Sequence, residues 1–205
     1  VLPPKVAPTQ GVLIPVGPWK KNPAILEKLE ELQKELKAAG LRVKIDDTDN
    51  SPGFKFNEWE LRGVPMRIEC GPRDLENNQV MTKMRDLDEK VAVGFDVLVD
   101  TILSELDKMQ VRMLETARAM RASNEYTNID TLDELKDHIE AKREAGEVPG
   151  WVLVGWDGTE ESEAKIKEET GFTTRNIPFN APVKKEKCIV TGKPAVHTVW
   201  IARAY

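Results

Sequence analysis

Between Pro52 and Asp74 the sequence reads PGFKFNEWELRGVPMRIECGPRD, placing three aromatics, four cations and three glutamates in one short segment of an acidic chain. Together these side chains suit one kind of ligand. A guanine splayed from a single strand offers N–H donors on its Watson–Crick edge, which fit a carboxylate, and an O6 acceptor, which fits an arginine; its face stacks on an aromatic ring. Phe54, Phe56 and Trp59 supply rings, Glu58 and Glu60 carboxylates, and Arg62, Arg67 and Arg73 guanidiniums. Gly63 and Pro65 predict a turn that folds Arg67 back beside Glu60. Carboxylates in a cationic aromatic patch repel phosphate, so base reading explains them better than backbone contact does. The same residues also fit a structural reading, with the rings as core and the Glu and Arg side chains in solvated ion pairs worth under about 1 kcal/mol each.

Other chemistries find less support. His138 sits within an acidic helix and His197 near a strand, and neither has a neighbouring nucleophile or orienting group in sequence, so both read as surface residues. No phosphate-binding glycine pattern appears, and Gly53, Gly63 and Gly71 read as turn glycines. Cys70 and Cys188 lie far apart with no pairing pattern, which argues against a disulfide framework and suits a reducing, cytoplasmic setting.

The elements that position these residues follow from periodicity. GVLIPV (11–16) predicts a buried strand, and NPAILEKLEELQKELKAAG an amphipathic helix with Asn22 as N-cap, Pro23 at its first position and Gly40 past its end. LRVKID (41–46) alternates as a strand does, so the three elements form a parallel crossover unit. A short helix around Asn57 to Leu61, strands at MRIEC (66–70) and NQVMTKM (78–84), and a long helix from about Phe95 to about Met120 complete the first half. In the second half, TLDE at Thr131 to Glu134 is a capping box, GWVLVGW a strand, and Thr159 the cap of a helix ending at Gly171. TTRNIPF, KCIV and TVWIARAY read as further strands, and TGKP as a turn.

With 205 residues, 40% hydrophobic and 32% charged, the chain is globular in composition and suits two small domains. No run approaches the roughly 18 apolar residues of a membrane span. A net charge of −5 argues against a blanket nucleic-acid binder, but acids gather at Asp46 to Asp49, Asp130 to Glu140 and Asp157 to Glu169, away from the arginines of residues 62–73. The first residue is Val1 and VLPPKVAPTQ reads as a connection from a preceding segment, so a fragment of a longer protein is expected.

LPPKVAPTQ, PGFKFNEWELRGVPMRIECGPRDL, RDLDEK, EAKIKEETGFTTRNIPF and the terminal ARAY, in this order, resemble the C-terminal half of the prolyl-tRNA synthetase family, in the form used by archaea, eukaryotes and some bacteria. The resemblance implies an α/β fold: a class IIa anticodon-binding domain, a mixed sheet flanked by helices, followed by a small α+β C-terminal domain. The implied division is 1–10 as connection, 11–124 as anticodon-binding domain and 125–205 as C-terminal domain. It further implies an upstream catalytic domain that joins proline to its tRNA using ATP and Mg²⁺, a homodimeric parent enzyme, and no catalytic residue or cofactor in this piece. By position, Phe56, Glu60, Arg67 and Arg73 resemble the family's readers of the two guanines in the proline anticodon. Glu58, Trp59 and Arg62 are then structural, and Lys55 and Lys90 candidate phosphate contacts. Tyr205 matches a terminal tyrosine whose carboxylate tucks toward the catalytic domain. The rival expectation is a noncatalytic interaction or scaffold module that keeps the fold without reading RNA.

Many members of that family hold a zinc ion on four cysteines in the C-terminal domain. The matching positions here are Asp157, Ser162, Cys188 and Thr191. One thiolate, one carboxylate and two hydroxyls make a poor structural zinc site, so no zinc is expected. The folding energy it would supply is expected from packing of Trp151, Trp156, Phe179 and Trp200.

Overall fold

The computed structural model describes residues 1–203; the expectation for Tyr205 lies outside the described residues. The chain divides into two compact units, Val1–Thr116 and Ala117–Tyr205.

The first unit runs β1 (Gly11–Pro15), α1 (Pro23–Ala38), β2 (Val43–Ile45), α2 (Pro52–Leu61), β3 (Met66–Cys70), α3 (Pro72–Glu76), β4 (Gln79–Met84), β5 (Lys90–Gly94) and α4 (Leu98–Ala122), the last continuing past Thr116. Its five-stranded sheet has the order β2-β1-β3-β4-β5. β1 pairs parallel with β2 and β3, whereas β3, β4 and β5 pair antiparallel. The two crossovers, β1 to β2 and β2 to β3, step in opposite directions along the sheet, and crossovers of one hand then place their helices on opposite faces. Accordingly α1 buries Ile25, Leu29, Leu32 and Leu36 on one face, together with Leu98, Ile102, Leu106 and Met109 of α4, against Leu13, Ile68 and Val80. Each such side chain contributes about 1.5–3 kcal/mol of burial. On the opposite face α2 packs Phe56 and Trp59 over Val12, Ile14 and Val64. Beyond β3 the chain turns by hairpin, so this face of β4 and β5 keeps Gln79, Met81 and Lys83 half-buried and Lys90 and Ala92 exposed.

Several local expectations change. Asn22 precedes α1, but its side chain makes no capping bond; its carbonyl instead accepts from the Ile25 N–H, and Pro23 has no N–H to satisfy. α2 begins five residues earlier than Asn57, because Ser51 Oγ accepts from the Phe54 N–H at 3.3 Å and Pro52 presets the first turn. A 3₁₀ turn at Phe95–Val97 precedes α4. β5 is short and buries only Val93 of its apolar residues, and KVAVG gives no clear alternation to reveal it.

The second unit runs β6 (Glu125–Tyr126), α5 (Leu132–Glu144), β7 (Trp151–Trp156), α6 (Glu160–Thr170), β8 (Phe172–Asn176) and β9 (His197–Arg203). Its mixed sheet has the order β6-β7-β9-β8. The capping box forms as expected: Thr131 Oγ1 accepts from Glu134 N at 3.2 Å and Glu134 Oε2 accepts from Thr131 N at 3.0 Å. Gly171 ends α6 at φ +72°. KCIV is not a strand. It makes only isolated bridges, Gly155 to Cys188 and Lys187 to Pro194, because the Gly192 N–H closes a tight turn onto the Cys188 carbonyl at 2.9 Å. The expected aromatic packing is also corrected. Phe179 is fully exposed and Trp151 43% exposed, while the core is built from Leu135, Val152, Val154, Ile166, Phe172 and Ile201, with Trp156 at its margin. Among the described residues no helix is long and apolar enough to cross a membrane.

Candidate nucleic-acid interface

α2 sends two pairs of side chains, each one turn apart, in two directions. Lys55 and Trp59 turn toward the end of β2, where Trp59 Nε1 donates to Asp46 Oδ2 at 2.7 Å and Lys55 Nζ donates to the Asp46 carbonyl at 2.9 Å. Phe56 and Glu60 turn toward β3 and meet Arg67 there. The connection between the elements is a tight reversal. Gly63 adopts φ +76°, and an added Cβ would lie 2.7 Å from Leu2 Cγ, so both backbone and space call for glycine. The Val64 N–H returns to the Trp59 carbonyl at 3.1 Å, and β3 then starts beside α2.

Arg67 is the centre of the resulting cluster. Its guanidinium carbon lies 3.8 Å from the Phe56 ring centroid, Nη1 donates to Glu60 Oε1 at 3.2 Å, and Nε donates to Glu69 Oε1 at 2.7 Å. Lys90 Nζ reaches the other Glu69 oxygen at 2.7 Å and stands 5.4 Å from the Phe56 centroid. Arg85 lies 3.6 Å from Glu60 Oε2. Strand register explains the gathering: Arg67 pairs with Lys83, and Lys83 with Lys90, aligning three cations across β3, β4 and β5 on the face that α2 half covers. Arg67, Lys83, Arg85 and Lys90 against Glu60 and Glu69 leave a local excess of two positive charges in an acidic chain. The Arg67 side chain is 12% exposed and that of Glu60 34%. The guanidinium is therefore fixed by its neighbours, while the carboxylate keeps free lone pairs toward solvent. A held guanidinium beside an open carboxylate complements the O6 acceptor and the N–H donors of guanine.

The structure brings Phe56, Glu60 and Arg67 together and adds Glu69, Arg85 and Lys83, which the sequence reading passed over. Alternation in MRIEC was the available signal, since it puts Glu69 on the same face as Arg67. Arg73 is not in the cluster. It lies exposed on α3 beyond the end of β3, about 10–20 Å along the chain direction from Arg67 at strand rise. The expectation that Lys55 contacts phosphate is overturned: its side chain is 1% exposed and its ammonium is held by Asp46, at 3.8 Å from Oδ1. Burial pushes the Asp46 carboxyl upward, but hydrogen bonds from Thr48 and Trp59 and the Lys55 charge outweigh it and hold the group below its usual value. Lys90 remains reachable at 42% exposure. Arg62 pairs with Glu58 at 2.6 Å and lies over Trp59, as a structural residue would.

The remaining candidates are structural. Burial, with the Asp74 charge adding to it, pushes the Cys70 thiol up to about 11, so it is no nucleophile at neutral pH. His138 is half-buried, not a surface residue: its Nε2 is 2.9 Å from the Pro149 carbonyl and its ring 4.3 Å from that of Tyr126. At the four zinc-like positions, Asp157 Oδ1 accepts from Ser162 Oγ at 2.6 Å and from Thr159 Oγ1 at 2.9 Å, and Oδ2 accepts from Thr191 Oγ1 at 3.0 Å. Trp156 Nε1 donates to Ser162 Oγ at 2.9 Å. These oxygens satisfy one another, and Cys188 alone could offer a thiolate, so the donor set does not fit tetrahedral zinc. Among the described residues no three His, Cys, Asp or Glu side chains gather as a metal site would require. The Ser162 hydrogen bond, joined by those of Thr159 and Thr191 against a smaller burial effect, holds the Asp157 carboxyl far below the usual range.

The mixed sheet that carries this cluster lies within residues 10–105, which the family model for the anticodon binding domain matches. The model for the prolyl-tRNA synthetase C-terminal domain matches residues 132–205. The chain belongs to the prolyl-tRNA synthetase family. It is 49% identical over 204 residues to a proline--tRNA ligase of Symbiobacterium thermophilum, covering 100% of this chain and 42% of the relative. It is 48% identical over 206 residues to that of Acetoanaerobium sticklandii, covering 100% and 41%. The chain thus spans about two fifths of the length of these relatives and corresponds to their C-terminal part.

Proposed function

We propose that the chain is the anticodon-reading and C-terminal part of a proline-tRNA ligase, and that its first unit reads guanine in the anticodon of the proline tRNA. The observation carrying this is the Arg67 guanidinium laid on Phe56 and held beside the half-exposed Glu60. Glu60 accepts the guanine N–H groups, Arg67 and Arg85 donate to O6, and Lys90 and Lys83 attract the backbone. Arg73, apart from the cluster, serves a second base or a phosphate further along the loop. The chemistry of joining proline to tRNA, with ATP and Mg²⁺, belongs to a catalytic domain upstream in a homodimeric, cytoplasmic parent enzyme. The second unit works without zinc.

Fluorescence anisotropy at fixed low salt tests the reading, using a proline-anticodon stem–loop and one whose two guanines are replaced by adenines. The guanine loop should bind more tightly, with Glu60→Ala and Arg67→Ala each removing about 1–3 kcal/mol of that preference. Equal weak binding to both loops would refute base reading and favour an interaction module that keeps the fold without RNA recognition.

A further inference from the structure

We infer that Glu69 is a positioning residue for base recognition, acting on the RNA only through Arg67 and Lys90. The inference rests on the reading of Arg67 as a guanine reader. Glu69 lies two residues after Arg67 on β3, so both side chains emerge on one face of the sheet. It is 6% exposed, and a carboxylate so buried persists only when its charge is met. Each oxygen meets a different cation, Oε1 the Arg67 Nε and Oε2 the Lys90 Nζ, both at 2.7 Å. The Nε contact has a geometric consequence. A guanidinium is planar, so fixing Nε from within the sheet and Nη1 from Glu60 leaves no free rotation about the remaining side-chain bonds. The plane is thereby set on Phe56 with Nη2 unengaged among the described residues. Glu69 at the same time tethers the Lys90 ammonium near the ring and offsets part of the pull that it exerts on phosphate.

Removing the Glu69 charge should therefore move two properties in opposite directions. The site becomes one unit more positive and Lys90 is released, which strengthens sequence-blind attraction to phosphate. Arg67 loses its fixed plane, which weakens discrimination between bases. A group that touched the base itself would lose binding and discrimination together, and a group of purely structural importance would change neither without loss of the fold.

The test compares the wild-type chain, Glu69→Gln, Arg67→Ala and the double variant in anisotropy titrations with both stem–loops across a salt series. Glu69→Gln should lower the guanine preference about tenfold, a loss of the size of one good base contact. It should leave binding of the adenine loop unchanged or tighter, with a steeper salt dependence. The double variant should show no less preference than Arg67→Ala. Glu69→Asp, which keeps the charge but withdraws it by one methylene, covers the case in which the Gln variant does not fold, and should give an intermediate preference. A preference kept within about twofold in a folded Glu69→Gln or Glu69→Asp chain would overturn the inference, since a lost base contact is worth more. So would a further drop when Glu69→Gln is added to Arg67→Ala. A wild-type chain with no guanine preference would instead overturn the function reading, and this inference with it.

Discussion

Asp46→Asn isolates the charge that seats α2. In the wild type, Asp46 serves Trp59, Thr48 and Lys55 at once, and the Lys55 ammonium is 1% exposed with the carboxylate as its only ion-pair partner among the described residues. At 3.8 Å, with an effective dielectric near 20, the attraction is about 4 kcal/mol. Asparagine has the same shape but offers one oxygen where the carboxylate offers two, so either Trp59 Nε1 or the Thr48 groups face an NH₂. Breaking a buried pair by removing one member costs about 3–5 kcal/mol, and we expect Asp46→Asn to fall in that range. Adding Lys55→Met, which removes the stranded ammonium while keeping an unbranched apolar stem, should recover about half. Urea unfolding followed by hydrogen exchange at the Val12–Ile14 amides of β1 reads the first unit without interference from Trp151, Trp156 and Trp200 of the second. The sign with pH is fixed. The folded Asp46 carboxyl lies below its ordinary 3.8, so its contribution is present above about pH 4 and lost as pH falls through the folded value. The variant should lack this acid-sensitive component. A loss under about 1 kcal/mol would refute a sealed ammonium; an equal loss in the single and double variants would assign the cost to the Trp59 and Thr48 hydrogen bonds and not to Lys55.

Two further outcomes concern the second unit. Asp157→Asn should lower its stability at neutral pH and remove an acid-sensitive component, because the depressed Asp157 carboxyl stabilises the fold above about pH 4, near its ordinary 3.8, and ceases to do so as pH falls; thermal melts by near-ultraviolet circular dichroism from pH 7 to 2 check this. Gly155→Ala should cost about 3 kcal/mol or more, because its Cβ would meet the Lys187 carbonyl oxygen at 2.0 Å, and backbone cannot yield as a side chain can; a melting temperature within a few degrees of wild type would contradict it.

What could be read from sequence was what short-range geometry decides. The β1-α1-β2 unit, the Thr131 capping box and the Gly63 reversal that brings Arg67 to Glu60 all depend on residues within a few turns of each other. What escaped depends on register and depth. That Glu69 joins Arg67 to Lys90 follows from how β3, β4 and β5 align, which no local pattern specifies. Lys55 and Phe179 reversed their expected places, the lysine buried by a carboxylate nine residues earlier and the phenylalanine left in solvent. Residue type alone does not say whether a side chain finds a partner.

The hairpin end of the first sheet separates two kinds of selection. With no crossover after β3, the positions of β4 and β5 that face α2's side carry little of the apolar packing, which lies on the opposite face with Val80, Met84 and Val93. Gln79, Met81, Lys83 and Ala92, none of which meets a buried charge, can therefore be exchanged at small cost to folding. Such a surface can drift toward a different nucleotide while the layer beneath it stays the same, so recognition and foldability evolve on opposite sides of the same two strands.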